Sequence, residues 1–228
     1  MQENFLLLKS VLEKLHKAGC LEHFILVGSW ASYFYRFHFQ SPDYLPQIRT
    51  SDVDFLIPNP RRVDSNLEIN VGGLLEELHF VKSYSRTGLV KYESKGFTIE
   101  FLVPEVGRGS ASPMKIEGLS IVAQPLRFLN MLTDHPLAVS YEGMKIKVPE
   151  PIAYAFHKLV ISGRRLEKEK QSKDYFTAVE LLRFLKRAGR GDDIKKYFHS
   201  LRPGWKQKID AILKNAKEFE ILKDLSNP

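Results

Sequence analysis

Asp52 and Asp54 stand two residues apart in Thr50-Ser-Asp-Val-Asp-Phe-Leu-Ile57, and this spacing is where the chain first points to chemistry. Side chains alternate faces along a strand, so both carboxylates point one way and Val53 points the other. Two like charges side by side repel unless something positive lies between them. A hard divalent cation suits that place, because it prefers carboxylate oxygens and keeps positions open for phosphate. Mg²⁺ is the usual resident and Mn²⁺ an acceptable one. An Asp-x-Asp pair is common by chance, usually as solvated loop residues. Here Phe55, Leu56 and Ile57 follow as a buried-strand run that Pro58 ends, so the pair opens an apolar strand. The chemistry it implies is phosphoryl or nucleotidyl transfer.

A third carboxylate fits the same reading. Gly96-Phe-Thr-Ile-Glu-Phe-Leu-Val-Pro104 is strand-like throughout, with Glu100 the only charge in its apolar run. A lone Glu there is expensive to bury without a partner. If this strand lies beside the one bearing Asp52 and Asp54, Glu100 joins them around one or two metal ions. The plain alternative is an edge-strand Glu facing water. Upstream, Ile25-Leu-Val-Gly-Ser-Trp30 runs an apolar strand into Gly28 and Ser29. Gly28 permits a tight turn and close backbone approach. Ser29 is placed to cap the following helix, whose free N–H groups favour an anionic phosphate. No Gly-Lys-Ser/Thr follows, and the three spaced glycines of a dinucleotide fingerprint are missing.

Gly28-Ser29, Asp52-x-Asp54 and Glu100 together resemble the motifs of the DNA polymerase beta-like nucleotidyltransferase superfamily. The resemblance is nearest to its small bacterial and archaeal nucleotidyltransferase-like proteins, some of which are toxins of toxin–antitoxin pairs. It covers about residues 20–104 by motif and extends more loosely into the tail. It implies a mixed sheet with flanking helices, and metal-dependent attack of an acceptor hydroxyl on the α-phosphate of an NTP, ATP included. Asp52 and Asp54 would then hold two Mg²⁺ ions. Glu100 would hold the one that activates the acceptor and is the candidate base, and Ser29 would meet the β- and γ-phosphates. In similar proteins a basic residue in the region of Lys158 faces the triphosphate, with Asp174 a candidate to orient it; an interhelix salt bridge is the plain alternative. The spacer between Ser29 and Asp52, with its aromatic stretch Tyr33 to Phe39, is longer than in many members.

Composition narrows the partners. The single Cys20 excludes an intrachain disulfide and fits a cytoplasmic protein. No run approaches a membrane span, and no histidine pair has zinc-ligand spacing. Residues 1–150 carry 16 Lys+Arg and 17 Asp+Glu, net −1; residues 151–228 carry 18 and 10, net +8, and the two give the whole-chain +7. A basic tail beside a carboxylate site points to a polyanionic partner, an NTP or nucleic acid. The acceptor stays open among tRNA or other RNA, a protein hydroxyl and a small molecule. Two rivals stand beside the enzyme: a catalytically silent nucleotide-binding or interaction module, and a nucleic-acid-binding regulator.

The patterning predicts an α+β (mixed α/β) chain with a catalytic domain over 1–148 and a basic helical domain over 149–228. Helices are expected at 3–18, 29–38, about 71–79 and about 125–133. Strands are expected at 24–28, 52–57, 80–84, 88–94, 97–103, 119–123, 137–141 and 144–148. Glu105 to Gly118 reads as a mobile loop, a lid or acceptor contact. Pro149-Glu-Pro151 marks the boundary, and helices at about 150–162, 169–188, 191–199 and 203–223 follow.

Overall fold

Leu8, Val11, Leu12 and Leu15 repeat at helical spacing, and all four are buried in the first helix, α1 (Gln2–Lys17). The structure is a computed structural model and describes residues 2–46, 51–85, 88–105 and 112–226. It divides the chain into two compact units, Met1–Gln40 with Pro46–Pro149, and Ser41–Leu45 with Glu150–Pro228.

Among the described residues, the first unit is built on nine strands. They are β1 (Ile25–Val27), β2 (Asp52–Leu56), β3 (Val81–Tyr84), β4 (Val90–Ser94), β5 (Phe97–Pro104), β6 (Met114–Ile116), β7 (Ile121–Leu126), β8 (Leu137–Tyr141) and β9 (Met144–Val148). Seven form one mixed sheet in the order β1-β2-β5-β4-β3, with β7 on β5 and β6 on β7. The β2–β5 and β5–β7 pairs are parallel and the others antiparallel. Strand β5 changes partner along one side: Phe97–Glu100 faces β4, and Leu102–Pro104 faces β7. Strands β8 and β9 form a separate hairpin.

One sheet face is packed with aromatic rings. Phe24, Phe55 and Phe101 lie 5.4–5.9 Å apart, with Tyr92 edge-on to Phe101. Val53, Phe55, Ile99, Phe101 and Tyr92 are fully shielded there, and such aromatic burial dominates a core of this size. Helix α2 (Gly28–Phe39) adds Trp30 beside Phe97, and α3 (Val71–Glu76) follows β2. Because the odd positions of β2 and β5 are committed to this core, their even positions Asp52, Asp54, Thr98 and Glu100 occupy the other face.

The second unit is helical: α4 (Pro151–Ser162), α5 (Lys168–Arg187), α6 (Gly191–Ser200), α7 (Pro203–Asn215) and α8 (Phe219–Ser226). Pro151 opens α4, and the Glu150 carboxylate accepts from the N–H groups of Ile152 and Ala153 at 2.7 and 2.9 Å. Tyr44 lies against Phe184 at 5.1 Å, which is why Ser41–Leu45 belongs to this unit. No helix among the described residues is long and apolar enough to cross a membrane.

Three expectations need correction. Residues 125–133 are not a helix, because β7 carries on through Pro125 and Leu126 on β5 and Phe128 adopts φ 68°; only the tight turn Leu129–Leu132 remains. The helix expected over 203–223 is two, parted at Lys217, whose φ of 59° ends α7. The expected loop over 105–118 holds β6 and a tight turn at Glu117–Leu119, and its residues 106–111 lie outside the described ones.

Candidate functional site

Strand register brings the sequence-predicted carboxylates into one row. Across the sheet, Val27 pairs with Asp54, Asp54 with Glu100, Glu100 with Lys91 and Lys91 with Ser83. Side-by-side partners in a ladder share a face, and adjacent strands lie about 4.8 Å apart. Asp54, Glu100 and Lys91 therefore stand shoulder to shoulder, and Asp52 lies one pair further along β2, beside Thr98. Asp52 is exposed, whereas Asp54 and Glu100 are half-buried, with Val53 and Phe55 sealed on the reverse side.

The turn that brings α2 against this row depends on Gly28. Its φ is 65°, in the region that L side chains rarely adopt. A Cβ at this position would come within 2.3 Å of Asp54 Oδ2. The missing side chain is thus what lets the backbone at the head of α2 lie against the Asp54 carboxylate. Val27, not Ser29, is the N-cap, and the N-cap residue's own side chain makes no capping hydrogen bond. Ser29 lies in the first helical turn, half-buried, so the capping role expected of it is not the one it has.

Lys91 is the participant that sequence reading missed. Its ammonium donates to Glu100 Oε1 at 2.5 Å. The hydrogen bond to Glu100, aided by the charges of Glu100, Asp52 and Glu93, raises its pKa above the ordinary lysine value against a smaller opposing effect of burial. The signal was slight, because Val90-Lys-Tyr-Glu-Ser94 reads as an ordinary half-buried strand with alternating polar positions. Among the described residues, no three His, Cys, Asp or Glu side chains are grouped to hold a metal ion as they stand.

Lys158 and Asp174 belong to the helical unit, not to the sheet. Lys158 Nζ donates to Asp174 Oδ1 at 2.6 Å, and Arg165 Nε donates to the other oxygen at 2.9 Å. Lys158 and Asp174 are 7% and 4% exposed, and the ammonium lies 5.5 Å from the Tyr154 ring centre. Burial alone would raise the Asp174 pKa, but the charge and hydrogen bonds of Lys158 and Arg165 outweigh it and hold the carboxyl below its usual range. Neighbouring His157 is buried with neither ring nitrogen hydrogen-bonded. Burial first, and the Lys158 charge second, push its pKa down to about 3.

The sequence profile of a nucleotidyltransferase family matches residues 7–202. No curated protein sequence matches significantly. Among solved structures, an antigenic nucleotidyltransferase-like protein from Paracoccidioides brasiliensis is 16% identical with a TM-score of 0.46, over 96% of this chain and 91% of that one. The antibiotic-resistance factor ANT(2'')-Ia in solution is 13% identical with a TM-score of 0.40, over 85% and 95%. The same factor in complex with adenylyl-2''-tobramycin gives 11% and 0.42, over 82% and 99%. Likenesses this distant do not bear on what the present chain acts on.

Proposed function

Since the chain belongs to the nucleotidyltransferase family that its residues 7–202 match, we propose that it moves a nucleoside monophosphate from an NTP to an acceptor hydroxyl, using divalent metal. The observation that carries this reading is the register that sets Asp54 between the Gly28 turn and Glu100, on the same face as Asp52. A half-exposed set of oxygen donors beside a helix start suits Mg²⁺ or Mn²⁺ together with a triphosphate. Asp52 and Asp54 would hold the metal, two ions in the full complement, with Glu100 joining once its carboxylate leaves Lys91. When bound, the metal supplies Lewis acidity to the phosphoryl oxygens and lowers the pKa of the acceptor hydroxyl.

The chain's own residues do the rest. Gly28 keeps the head of α2 open to the phosphates, and Ser29 offers a hydroxyl in the first turn. The acceptor oxygen bonds to the α-phosphorus, the bond to pyrophosphate breaks, and the hydroxyl proton passes to Glu100. Catalysis on this reading is positioning and charge neutralisation, with no covalent enzyme intermediate.

The test is label transfer from each α-labelled NTP, with Mg²⁺ or Mn²⁺, to RNA, protein and small hydroxylated acceptors. Metal-dependent label on one acceptor class, lost in Asp54→Asn, supports the reading. Label on a protein partner would favour a toxin-type role. Nucleotide binding without transfer to any class would favour the silent-module rival.

A further inference from the structure

The carboxylate face carries its own cation. Lys91 faces Glu100 across the β4–β5 ladder, and on the other side of Glu100 stands Asp54. The Lys91 and Glu100 side chains are 36% and 26% exposed, so solvent reaches the pair and its ionic partner can be exchanged. Glu100 therefore has two places to find positive charge: the ammonium on the β4 side, and any divalent ion held by Asp52 and Asp54 on the β2 side. An ammonium on a four-carbon stem can swing aside without disturbing the backbone. In the rows that join β2, β5 and β4, Lys91 shares the face with Asp52, Asp54, Glu93 and Glu100.

We propose that Lys91 is a positioning residue that draws Glu100 away from Asp52 and Asp54 until a divalent cation binds there, and so sets how tightly the third carboxylate takes that cation. The proposal rests on the metal reading given above. It makes metal loading sequential: the aspartate pair engages first, and Glu100 follows by exchanging one cation for another. Lys91 is then a competitor in the resting protein and a bystander in the loaded one. Its removal strengthens metal binding while weakening the metal-free fold.

The experiment uses the full chain with Mn²⁺ alone as the probe, reading affinity by calorimetry and melting temperature in EDTA. Lys91→Met should bind Mn²⁺ about threefold more tightly or better, since a nearby like charge is gone, and should melt lower in EDTA. Lys91→Arg should stay near wild type, because a guanidinium keeps the pair with Glu100. In a Glu100→Gln background, Lys91→Met should bring no gain. If Lys91→Met does not fold, Lys91→Gln serves in its place. An unchanged affinity in the Lys91 variant, with Mn²⁺ still bound by wild type and lost in Asp54→Asn, overturns the role of Lys91 and leaves the metal reading standing. The same gain with and without Glu100 overturns it too, because the effect would then be a general field. Wild-type protein that binds no Mn²⁺ overturns both.

Discussion

Two of the charge clusters among the described residues are built on opposite plans. On the sheet, Asp52, Asp54 and Glu100 share one face with Lys91, and these side chains are exposed or half-buried. In the helical unit, Lys158 and Arg165 close on both oxygens of Asp174, so that its buried carboxylate is paired at each oxygen. A buried pair must satisfy itself, since desolvation is repaid only by good geometry and full hydrogen bonding. A half-exposed cluster of carboxylates keeps access to ions from solvent. On the reading proposed above, the accessible cluster is the one that does chemistry and the buried, fully paired one holds structure.

The comparison breaks most sharply at the aspartates. Asp54→Asn or Asp52→Asn should cut metal-dependent transfer by more than about a hundredfold. Melting in EDTA should be unchanged or higher, because one of several repelling charges is gone. Near-wild-type transfer by either variant would remove the sheet cluster from the chemistry. Gly28→Ala should come next, losing about tenfold or more in transfer, because the new Cβ would meet Asp54 Oδ2 while φ stays positive. Gly204→Ala is the control: nothing lies within 4 Å of its Cβ position, and it should be neutral.

The helical cluster should answer in stability. Lys158→Ala leaves a buried carboxylate with one half-exposed partner, and about 3 kcal/mol should be lost in urea unfolding. The exposed Lys214→Ala should change little. If Lys158→Ala instead spares stability and abolishes nucleotide affinity, the cluster belongs to the nucleotide site and the contrast drawn here fails. Acid sharpens the same contrast through His157. Its folded pKa, about 3, lies below the unfolded value near 6.5, so the unfolded chain binds the extra proton between those limits. Stability should fall as pH drops from 6.5 towards 3, by about 1.4 kcal/mol per unit from this group. His157→Leu should flatten that slope in pH-dependent melting. Asp174 acts later: its pKa is depressed, so its contribution is full above the unfolded value of about 3.8 and fades only below it. The smallest effect belongs to Ser29→Ala, at about 1 kcal/mol of nucleotide affinity by titration.

The sequence shows the strands bearing Asp54 and Glu100 through their apolar runs, and Pro149 to Pro151 mark the passage to helices. That Asp54 lies beside Glu100 was a conditional reading, because register between strands far apart in sequence is set by the whole sheet. Lys91 was invisible for the same reason: its partner is chosen by pairing, and a lysine at a polar position of a strand carries no local mark. The break at Lys217 was missed because the signal for a left-handed residue is glycine, and here a lysine takes that conformation. Residues 125–133 misled because apolar spacing over so few residues does not separate a helix from a strand running into a turn. Ser29 has a capping residue's chemistry, but the helix starts two residues earlier than a cap at Ser29 would allow.

Strand β5 has a consequence for dynamics. Among the described residues it is the only strand in the sheet with three neighbours, β2 along one side and β4 then β7 along the other. Its amides can be released only when pairings that join segments as distant as residues 52 and 124 give way together. Native-state hydrogen exchange should therefore find β5 among the last segments to open, with edge strand β3 opening well before it. Glu100 rides on that slow segment. Whatever its side chain does in exchanging one cation for another, it does on a backbone that stays still.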